Sequence, residues 1–497
     1  MSAALLIIAL TALGALLLGL RAGRGRDMNL EQWTVGGRGF GAVFVFLLMA
    51  GEIYTTFTFL GGSGYAYGHG GPAYYILAYG CLAYVISYWM LPPIWRYARQ
   101  HRLVSQPDYF ATKYDSPAVG VLVAVVGIVA MVPYLVLQFK GLGIIVATAS
   151  YGAIPSSVAV WIGAGVVTAY VMVSGVHGSA WTAVAKDVLI LAVAVFLGLY
   201  LPIHLYGGFG TMFSAIQEAK PSFLALPPKG ESIAWFDSTV LLTALGFYMW
   251  PHSFGSVFTA RREKAFRQNA IVMPLYQLIL AFVFFVGFAA VLKVPGLTGP
   301  QIDLALFRLS IQAFDPWFVG VIGAAGVLTA LVPGSMIMMT TATLLANNIY
   351  RPLNGTASDQ AVSRLARRLV PIVALVAVYF TLSGGQTIVA LLLMGYSFVT
   401  QLFPALVMSL HRNNPLSSTA VFAGIVVGIA TVAATSLTHT TIAILFPGLP
   451  EALRDLNIGI VALVLNVLTL AVVSVIRRRV PHDRRQRKDE DIARVIS

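Results

Sequence analysis

The chain contains long runs of residues without a charged side chain, and these runs limit what it can fold into. They include residues 2–20, 72–95, 316–350 and 369–411. About 20 apolar residues are enough for a helix to cross the hydrocarbon layer of a bilayer. The strands of a membrane barrel alternate in polarity over about 10 residues, whereas these runs are continuously apolar. The pattern therefore predicts an all-α polytopic membrane protein.

The composition and charge of the chain are typical of a protein embedded in a lipid bilayer. Hydrophobic residues make up 58% of the chain and charged residues only 10%, against about 25% charged in soluble proteins. The net charge of +13 does not indicate nucleic acid, because the excess lies in short loops and in a basic tail, 477–497. The single Cys81 excludes an intrachain disulfide and a cysteine-rich metal site.

We predict about thirteen transmembrane helices from the apolar runs. They are expected near residues 2–20, 41–66, 73–95, 118–148, 155–174, 181–205, 237–257, 270–292, 316–346, 367–383, 387–410, 418–437 and 457–476. If the N-terminus lies outside, the inner segments collect 25 of the 32 basic residues. Positively charged loops remain in the cytoplasm, so this asymmetry predicts a multi-pass protein of the inner membrane with an outer N-terminus and a cytoplasmic C-terminus.

The loops give the domain boundaries. An extra helix with a basic loop, 1–30, precedes two units of five helices, and two extra helices and the tail follow. The boundaries we expect are 1–30, 31–206, 207–236, 237–410, 411–476 and 477–497. The outer loops Gly207–Trp235 and Val294–Asp315 are long enough to hold small helices, and the inner stretch 96–116 contains a predicted helix start at Gln106.

Two predicted helices are interrupted, one at the start of each five-helix unit. The 41–66 helix contains Gly51, Gly61, Gly62 and Gly64, and the 237–257 helix contains Pro251. Glycine lowers helix propensity and proline removes a backbone hydrogen bond. Secondary transporters bind solutes at mid-membrane between two such helices at corresponding positions of two repeats. Glycine and proline are also common in ordinary membrane helices, so the breaks alone do not define a site.

Few charges lie inside the predicted helices. Glu52 is the one charged residue of the second helix, and burial of a carboxyl at this depth favours a role in an ion or proton path over a purely structural one. Lys140 is a candidate to bind an anionic substrate, to pair with Glu52 or to extend to the membrane interface. Lys186 and Asp187 are adjacent, so we expect their side chains to diverge by about 100°, near the inner end of the helix, where Asp187 is a candidate for an exit path. His252 is either a carboxylate donor or an interior histidine.

No pattern supports an enzyme or a resident metal. The sequence lacks zinc-ligand spacing, a phosphate-binding glycine loop and a serine elbow. A cofactor and an obligate protein partner are not expected either.

Several segments together resemble a known family. The stretch Glu31–Arg38 resembles the element that precedes the first core helix in the sodium:solute symporter family, which has the LeuT-type fold. Further similar segments cover most of residues 30–410: 62–65, 106–114, 175–187, 250–262 and 330–350. Within the family, Gly51–Thr55 and Ala330–Pro333 are most similar to the monocarboxylate permease branch. The resemblance implies a 5+5 inverted repeat with one extra N-terminal and two extra C-terminal helices.

The resemblance also implies where a cation would bind. The family's sodium site combines backbone carbonyls of the broken first core helix with two hydroxyl side chains of the eighth, and the matching positions here are Pro333 and Gly334. Neither supplies a hydroxyl. A shift of the alignment would bring Thr329 or Ser335 into this role, so a sodium ion near Met49, Glu52, Ala330 and Ser335 stays an alternative to a proton carried by Glu52.

The function implied is cation-coupled symport of a small monocarboxylate of the pyruvate, lactate or acetate type, with H⁺ or Na⁺ as the coupling ion. The resemblance places the substrate at residues Gly51, Tyr54, Thr55, Gln138, Lys140, Tyr248, Trp250 and His252. One alternative is a sodium-coupled symporter of proline, pantothenate or a sugar. Another is a transporter-like sensor, which the short tail, without an output domain, disfavours.

Overall fold

The computed structural model describes residues 3–23, 29–51, 53–355, 357–411 and 413–479. Within these ranges the secondary structure is helical, apart from one isolated backbone bridge between Phe40 and Ala260. The all-α prediction is therefore confirmed. The predicted proton carrier Glu52 and the tail beyond residue 479 lie outside the described residues.

The helices follow the predicted segments closely. Within the described residues, ten helices are long and apolar enough to cross a membrane, or eleven when the bent pair Ile233–Met249 and Pro251–Val257 is taken as one span. Ala42–Gly51 and Ser156–Met172 are shorter apolar helices. The long helices and their continuations are Ala3–Gly23, Tyr75–Gln100, Pro117–Ala149, Ser156–Tyr206, Lys264–Leu278, Leu280–Lys293, Pro316–Thr343, Asp359–Ser383, Ile388–Val399, Phe403–Leu410, Ser418–Leu437 and Ile458–Arg479.

Two helices are interrupted where the sequence predicts it. The first broken helix consists of Ala42–Gly51, a π-helical turn at Phe57–Gly61 and Gly62–His69. The second broken helix consists of Ile233–Gly246, a 3₁₀ turn at residues 247–249 and Pro251–Val257. Each break begins a five-helix unit, as expected for a LeuT-type repeat.

The helix Ser156–Tyr206 contains two of the predicted spans and changes direction at Gly175, whose φ of 54° and ψ of −160° are not helical. A β-carbon at Gly175 would lie 2.7 Å from Cδ1 of Trp33. Trp33 belongs to the short helix Leu30–Val35. Only glycine combines this backbone conformation with so close an approach.

The segment Pro316–Leu353 forms the centre of the bundle. In its most apolar stretch 94% of the residues are buried, against 22% in Ala3–Ala22. An apolar helix buried on all sides is a core helix, whereas one buried on one side faces lipid. The extra N-terminal helix is therefore peripheral, as are the two C-terminal helices, which pack against each other.

The connecting segments define two faces of the bundle. The basic face carries the loop 96–116, whose short helix Gln106–Lys113 is capped by the Ser105 hydroxyl, and the loop at Arg261, whose N–H bonds to the Phe40 carbonyl at 2.8 Å. The opposite face carries Phe209–Ala219 and Ala305–Ala313, which are the small helices expected in the two long loops.

Candidate functional site

The first helix break lies between Gly51 and Phe57, and threonine side chains hold it. The Thr55 N–H donates to the Thr58 hydroxyl at 2.9 Å, the Thr58 hydroxyl donates to the Thr55 carbonyl at 3.0 Å, and the Phe57 N–H donates to the Thr55 hydroxyl at 3.1 Å. Backbone groups inside a membrane require such internal partners. The sequence thus stabilises the unwound backbone locally.

The carbonyls released at this break are bound by a lysine. The Lys186 ammonium donates to the Gly51 carbonyl at 2.9 Å and to the Tyr54 carbonyl at 3.2 Å. Its side chain is fully buried, and its Nζ lies 2.9 Å from Oδ1 of Asp187. A positive charge therefore stands directly on the unwound part of the first broken helix.

Two expectations about Lys186 and Asp187 are wrong. Their side chains do not diverge, because the long, flexible lysine chain bends back to form the ion pair at 2.9 Å. The pair also does not lie near the inner end of its helix. Lys186 is eleven residues from the change of direction at Gly175, or about 16 Å along a helix, so the pair lies well inside the helix. Asp187 is 3% exposed.

The second break follows from one proline. Trp250 has an extended backbone (φ −62°, ψ 127°), and the helix restarts with Pro251 at its first turn, bent by 56° from the preceding part. Proline disfavours a helical conformation of the residue before it and is well suited to a first helical turn. The Met249 carbonyl at the break accepts a hydrogen bond from Nε2 of Gln106 at 2.9 Å.

A small internal cavity lies between the two breaks. The free volume for the centre of a water molecule is about 10 Å³, close to the minimum that holds a single water. Its lining combines aromatic rings with hydroxyl and amide groups, and no described lining residue is charged. The lining residues are Ile53, Phe57, Thr58, Tyr79, Tyr134, Phe247, Trp250, Ser253, Gln277, Leu392 and Tyr396.

On the opposite face, an ion pair links three segments of the chain. The Lys140 ammonium lies 2.6 Å from Oδ2 of Asp303 and donates to the Gln386 carbonyl at 2.7 Å. The same carboxylate oxygen accepts the N–H of Ile388 at 3.0 Å. Asp303 therefore joins the 299–304 turn to two membrane helices.

The basic face has a wide vestibule of about 620 Å³. Asp108 lies at its wall and accepts hydrogen bonds from Asn348 at 2.7 Å, Asn347 at 3.3 Å and the Val104 N–H at 3.3 Å. Burial raises the pKa of the Asp108 carboxyl, although the hydrogen bonds from Ser105, Asn348 and Val104 oppose the increase. Asp108 thus joins the short helix Gln106–Lys113 to the end of the central helix at the wall of the vestibule.

The predicted substrate residues lie around the cavity at different distances. Trp250 lines it directly, while Tyr54 and Thr55 belong to the break. His252 lines a separate small cavity towards the basic face. Gln138 is fully buried and packs against Gly334 of the central helix, and within the described residues its amide has no hydrogen-bond partner. Tyr248, Lys140 and Gly51 are outside the cavity lining, Tyr248 being stacked edge-on to Phe247.

The predicted cation residues that the structure describes, Met49, Ala330, Pro333, Gly334 and Ser335, are buried. The Ser335 hydroxyl donates to the Val332 carbonyl at 2.6 Å and lies 2.9 Å from the Ser179 hydroxyl. Ala330, Pro333 and Gly334 present no side-chain oxygen, and the sulfur of Met49 lies 3.7 Å from Nδ2 of Asn269. Among these described positions, only Ser335 carries a side-chain oxygen.

Several residues of the site were not predicted from the sequence. Tyr79, Tyr396 and Tyr134 are three of 21 tyrosines in an apolar chain, and nothing in their local pattern distinguishes them. Gln277 carries a signal, because an amide within an otherwise apolar helix requires a partner; its Nε2 donates to the Ile76 carbonyl at 3.2 Å. Asp303 was missed because its partners are distant in sequence.

Comparison with known proteins agrees with this architecture. The sequence profile of the sodium:solute symporter family matches residues 33–428. The chain is 63% identical over 479 residues to "Uncharacterized symporter YhjB" of Bacillus subtilis (strain 168), covering 96% of this chain and 98% of that protein. It is 28% identical over 396 residues to "Monocarboxylate transport permease protein" of Rhizobium johnstonii, covering 78% of each chain.

The fold is also similar to a solved structure of a Na⁺-coupled sialic acid symporter in a substrate-bound outward-open state. The TM-score is 0.79 at 14% sequence identity, over 95% of this chain and 97% of that chain. At this identity the likeness concerns the fold, which is of the LeuT type. The family match covers most of the chain and both helix breaks, so the chain belongs to the sodium:solute symporter family and is a secondary transporter, not an enzyme.

Proposed function

We propose that this protein carries a small monocarboxylate together with a proton by alternating access. The observation that carries the proposal is the cavity between the two helix breaks, which is lined by hydroxyl, amide and aromatic groups. Transporters of this architecture bind their substrate at this level and release it when the two repeats move relative to each other.

A small carboxylate suits the groups at this site. Ser253 of the second broken helix brings a hydroxyl donor, and Gln277 brings an amide. Such donors bind an anion through directed dipoles without a buried positive charge. The rings of Trp250 and Tyr134, whose centroids are 4.8 Å apart, suit the apolar part of a short acid. The printed name of the Rhizobium relative supports the same substrate class.

The proposed proton carrier is Glu52. Its chain neighbours Gly51 and Ile53 are buried at the first break, and ionisable residues at such positions in membrane proteins usually serve ion or proton paths. One anion carried with one proton moves no net charge. One pH unit then supplies about 1.4 kcal/mol, which is tenfold accumulation.

The charge distribution supports an orientation. The basic face, which includes Arg99, Arg261 and Arg351, is proposed to face the cytoplasm of the cell, since positively charged loops are retained there. The N-terminal helix then begins outside, the tail is cytoplasmic, and the Lys140–Asp303 ion pair faces the exterior.

Uptake by reconstituted proteoliposomes tests the proposal. Labelled pyruvate, lactate and acetate are offered with a pH gradient alone and with a sodium gradient alone. We expect concentrative uptake of at least one acid with the pH gradient. Uptake of proline, pantothenate or a sugar with none of the acids would contradict the substrate class.

The role of Glu52 has its own test. Glu52→Gln is expected to abolish accumulation driven by the pH gradient while exchange of internal for external substrate continues, because exchange needs no net proton movement. Glu218→Gln, at an exposed acid of helix Phe209–Ala219, is the control and should accumulate normally. Full pH-driven accumulation by Glu52→Gln would show that another group carries the proton.

A further inference from the structure

The Gly51 carbonyl has lost its helical partner. In a continuous helix it would accept the N–H of Thr55, but that N–H bonds to the Ile53 carbonyl at 3.1 Å and to the Thr58 hydroxyl at 2.9 Å. A released carbonyl at the middle of a membrane needs a positively charged or hydrogen-bonding partner. The resemblance to the sodium:solute symporter family implies a sodium ion in this place.

Here the partner is the Lys186 ammonium. Among the described residues, three oxygens lie close to it: the Gly51 carbonyl at 2.9 Å, the Tyr54 carbonyl at 3.2 Å and Oδ1 of Asp187 at 2.9 Å. A lysine ammonium is a pure donor, and here it donates to both released carbonyls. The Asp187 carboxylate offsets the charge, which makes complete burial of the ammonium tolerable.

The central helix does not complete a sodium site beside these carbonyls. Its nearest approach to Gly51 is an apolar group, because a β-carbon on Gly51 would lie 3.8 Å from Cγ1 of Val332. The next two residues are Pro333 and Gly334, which have no side-chain oxygen. The Ser335 hydroxyl is engaged by Val332 and Ser179. The described residues of the central helix therefore supply no free side-chain oxygen for a bound sodium ion beside Gly51.

We propose that Lys186 is a tethered cation that stands in the position of the family's sodium ion at the first helix break. The protein then needs no sodium to hold the unwound backbone together, and the positive charge stays with the protein throughout the cycle. This deepens the proposed function, because a break without sodium leaves the proton as the coupling ion.

The test measures cation binding and needs no substrate, so its result is independent of the substrate assignment. Thermal unfolding of the purified full chain in detergent is compared in sodium, potassium and choline chloride of equal ionic strength. We expect the wild-type Tm to be the same in all three salts. Lys186→Ala opens a space beside two carbonyls and a carboxylate, and sodium should raise its Tm by about 2 °C or more relative to choline.

Lys186→Met is the matched control. Methionine removes the charge but fills the space with a chain of similar length, so this variant should show no difference between sodium and choline. A single symmetric peak on size exclusion establishes that each variant is folded, and if Lys186→Ala does not meet this criterion, Lys186→Ser is measured in its place. A sodium response of the wild-type protein, or a folded small-residue variant without one, would overturn the proposal.

Discussion

Lys140 and Asp303 form an ion pair at 2.6 Å that ties helix Pro117–Ala149 to the turn at Gly299–Leu304. The Asp303 side chain is 1% exposed and that of Lys140 is 19% exposed. The carboxylate also accepts the Ile388 N–H at the start of another membrane helix. One carboxyl thus connects three elements on the face opposite the basic face. We interpret this connection as the closure of the outer pathway.

Asp303→Asn should loosen this closure, because the variant leaves the Lys140 ammonium without its countercharge. If the loss of this partly exposed pair costs about 1.4 kcal/mol, the equilibrium between the closed and the open state changes tenfold. In a Cys81→Ser background, Leu392→Cys, in the lining of the cavity, reports access to the cavity. We expect an impermeant maleimide to label this cysteine about tenfold faster. An unchanged labelling rate would show that the ion pair does not control access.

Gly395 should control the shape of the substrate cavity. A β-carbon there would lie 2.4 Å from Cη2 of Trp250 and 3.2 Å from the Ala130 carbonyl. Gly395→Ala should therefore push the Trp250 ring into the cavity and raise KM for the acid about tenfold, since overpacking costs about 1–3 kcal/mol. Gly165→Ala, with no atom within 4 Å of the new carbon, is the control. Equal KM values for the two variants would place the substrate elsewhere.

Thr58 should stabilise the first break through its hydroxyl. The Thr58 hydroxyl accepts from the Thr55 N–H and donates to the Thr55 carbonyl, so Thr58→Val removes both bonds at nearly constant volume. We expect a loss of about 1–3 kcal/mol in stability, and recovery in Thr58→Ser. Thermal unfolding measures both. Thr431→Val is the control, because this hydroxyl bonds only the preceding turn of its own helix, and its Tm should equal that of the wild type. A wild-type Tm for Thr58→Val would show that the Thr58 hydroxyl does not stabilise the break.

Asp108 should make the basic face sensitive to pH. Burial raises its pKa in the packed state, so this state binds the proton more tightly than a state in which water reaches the carboxyl, where the pKa is about 3.9. Packing is then favoured at low pH and weakens as pH rises through the window above about 3.9. Hydrogen exchange of the amides of Gln106–Lys113, corrected for intrinsic rates, should accelerate over this window. Asp108→Asn should remove the dependence, and retention of it would implicate another group.

The sequence predicts the architecture well because one physical property determines it. Continuous apolar segments must become helices in a bilayer, and the loops between them carry the basic residues, so the predicted helices agree with the structure. The breaks were predictable for the same local reason. Pro251 removes a backbone donor, and Gly51 lies in a segment of low helix propensity.

The contacts between helices were not predictable from local pattern. Lys186 reaches Gly51 across 135 positions, and Lys140 reaches Asp303 across 163. Whether a long side chain bends back, extends to the interface or crosses to another helix depends on the packing around it. For this reason adjacent Lys186 and Asp187 were expected to diverge, and the tyrosines of the cavity were not distinguished from other buried aromatic residues.

The central claim is that the chain carries an acid and a proton together without sodium. The most direct measurement is the accumulation ratio of a labelled monocarboxylate in proteoliposomes at fixed pH gradients, with the membrane potential clamped and sodium absent. The account predicts about tenfold accumulation per pH unit, with no change when the potential is varied by 100 mV. A ratio that requires sodium, or that follows the potential at about 2.3 kcal/mol per 100 mV, would contradict it.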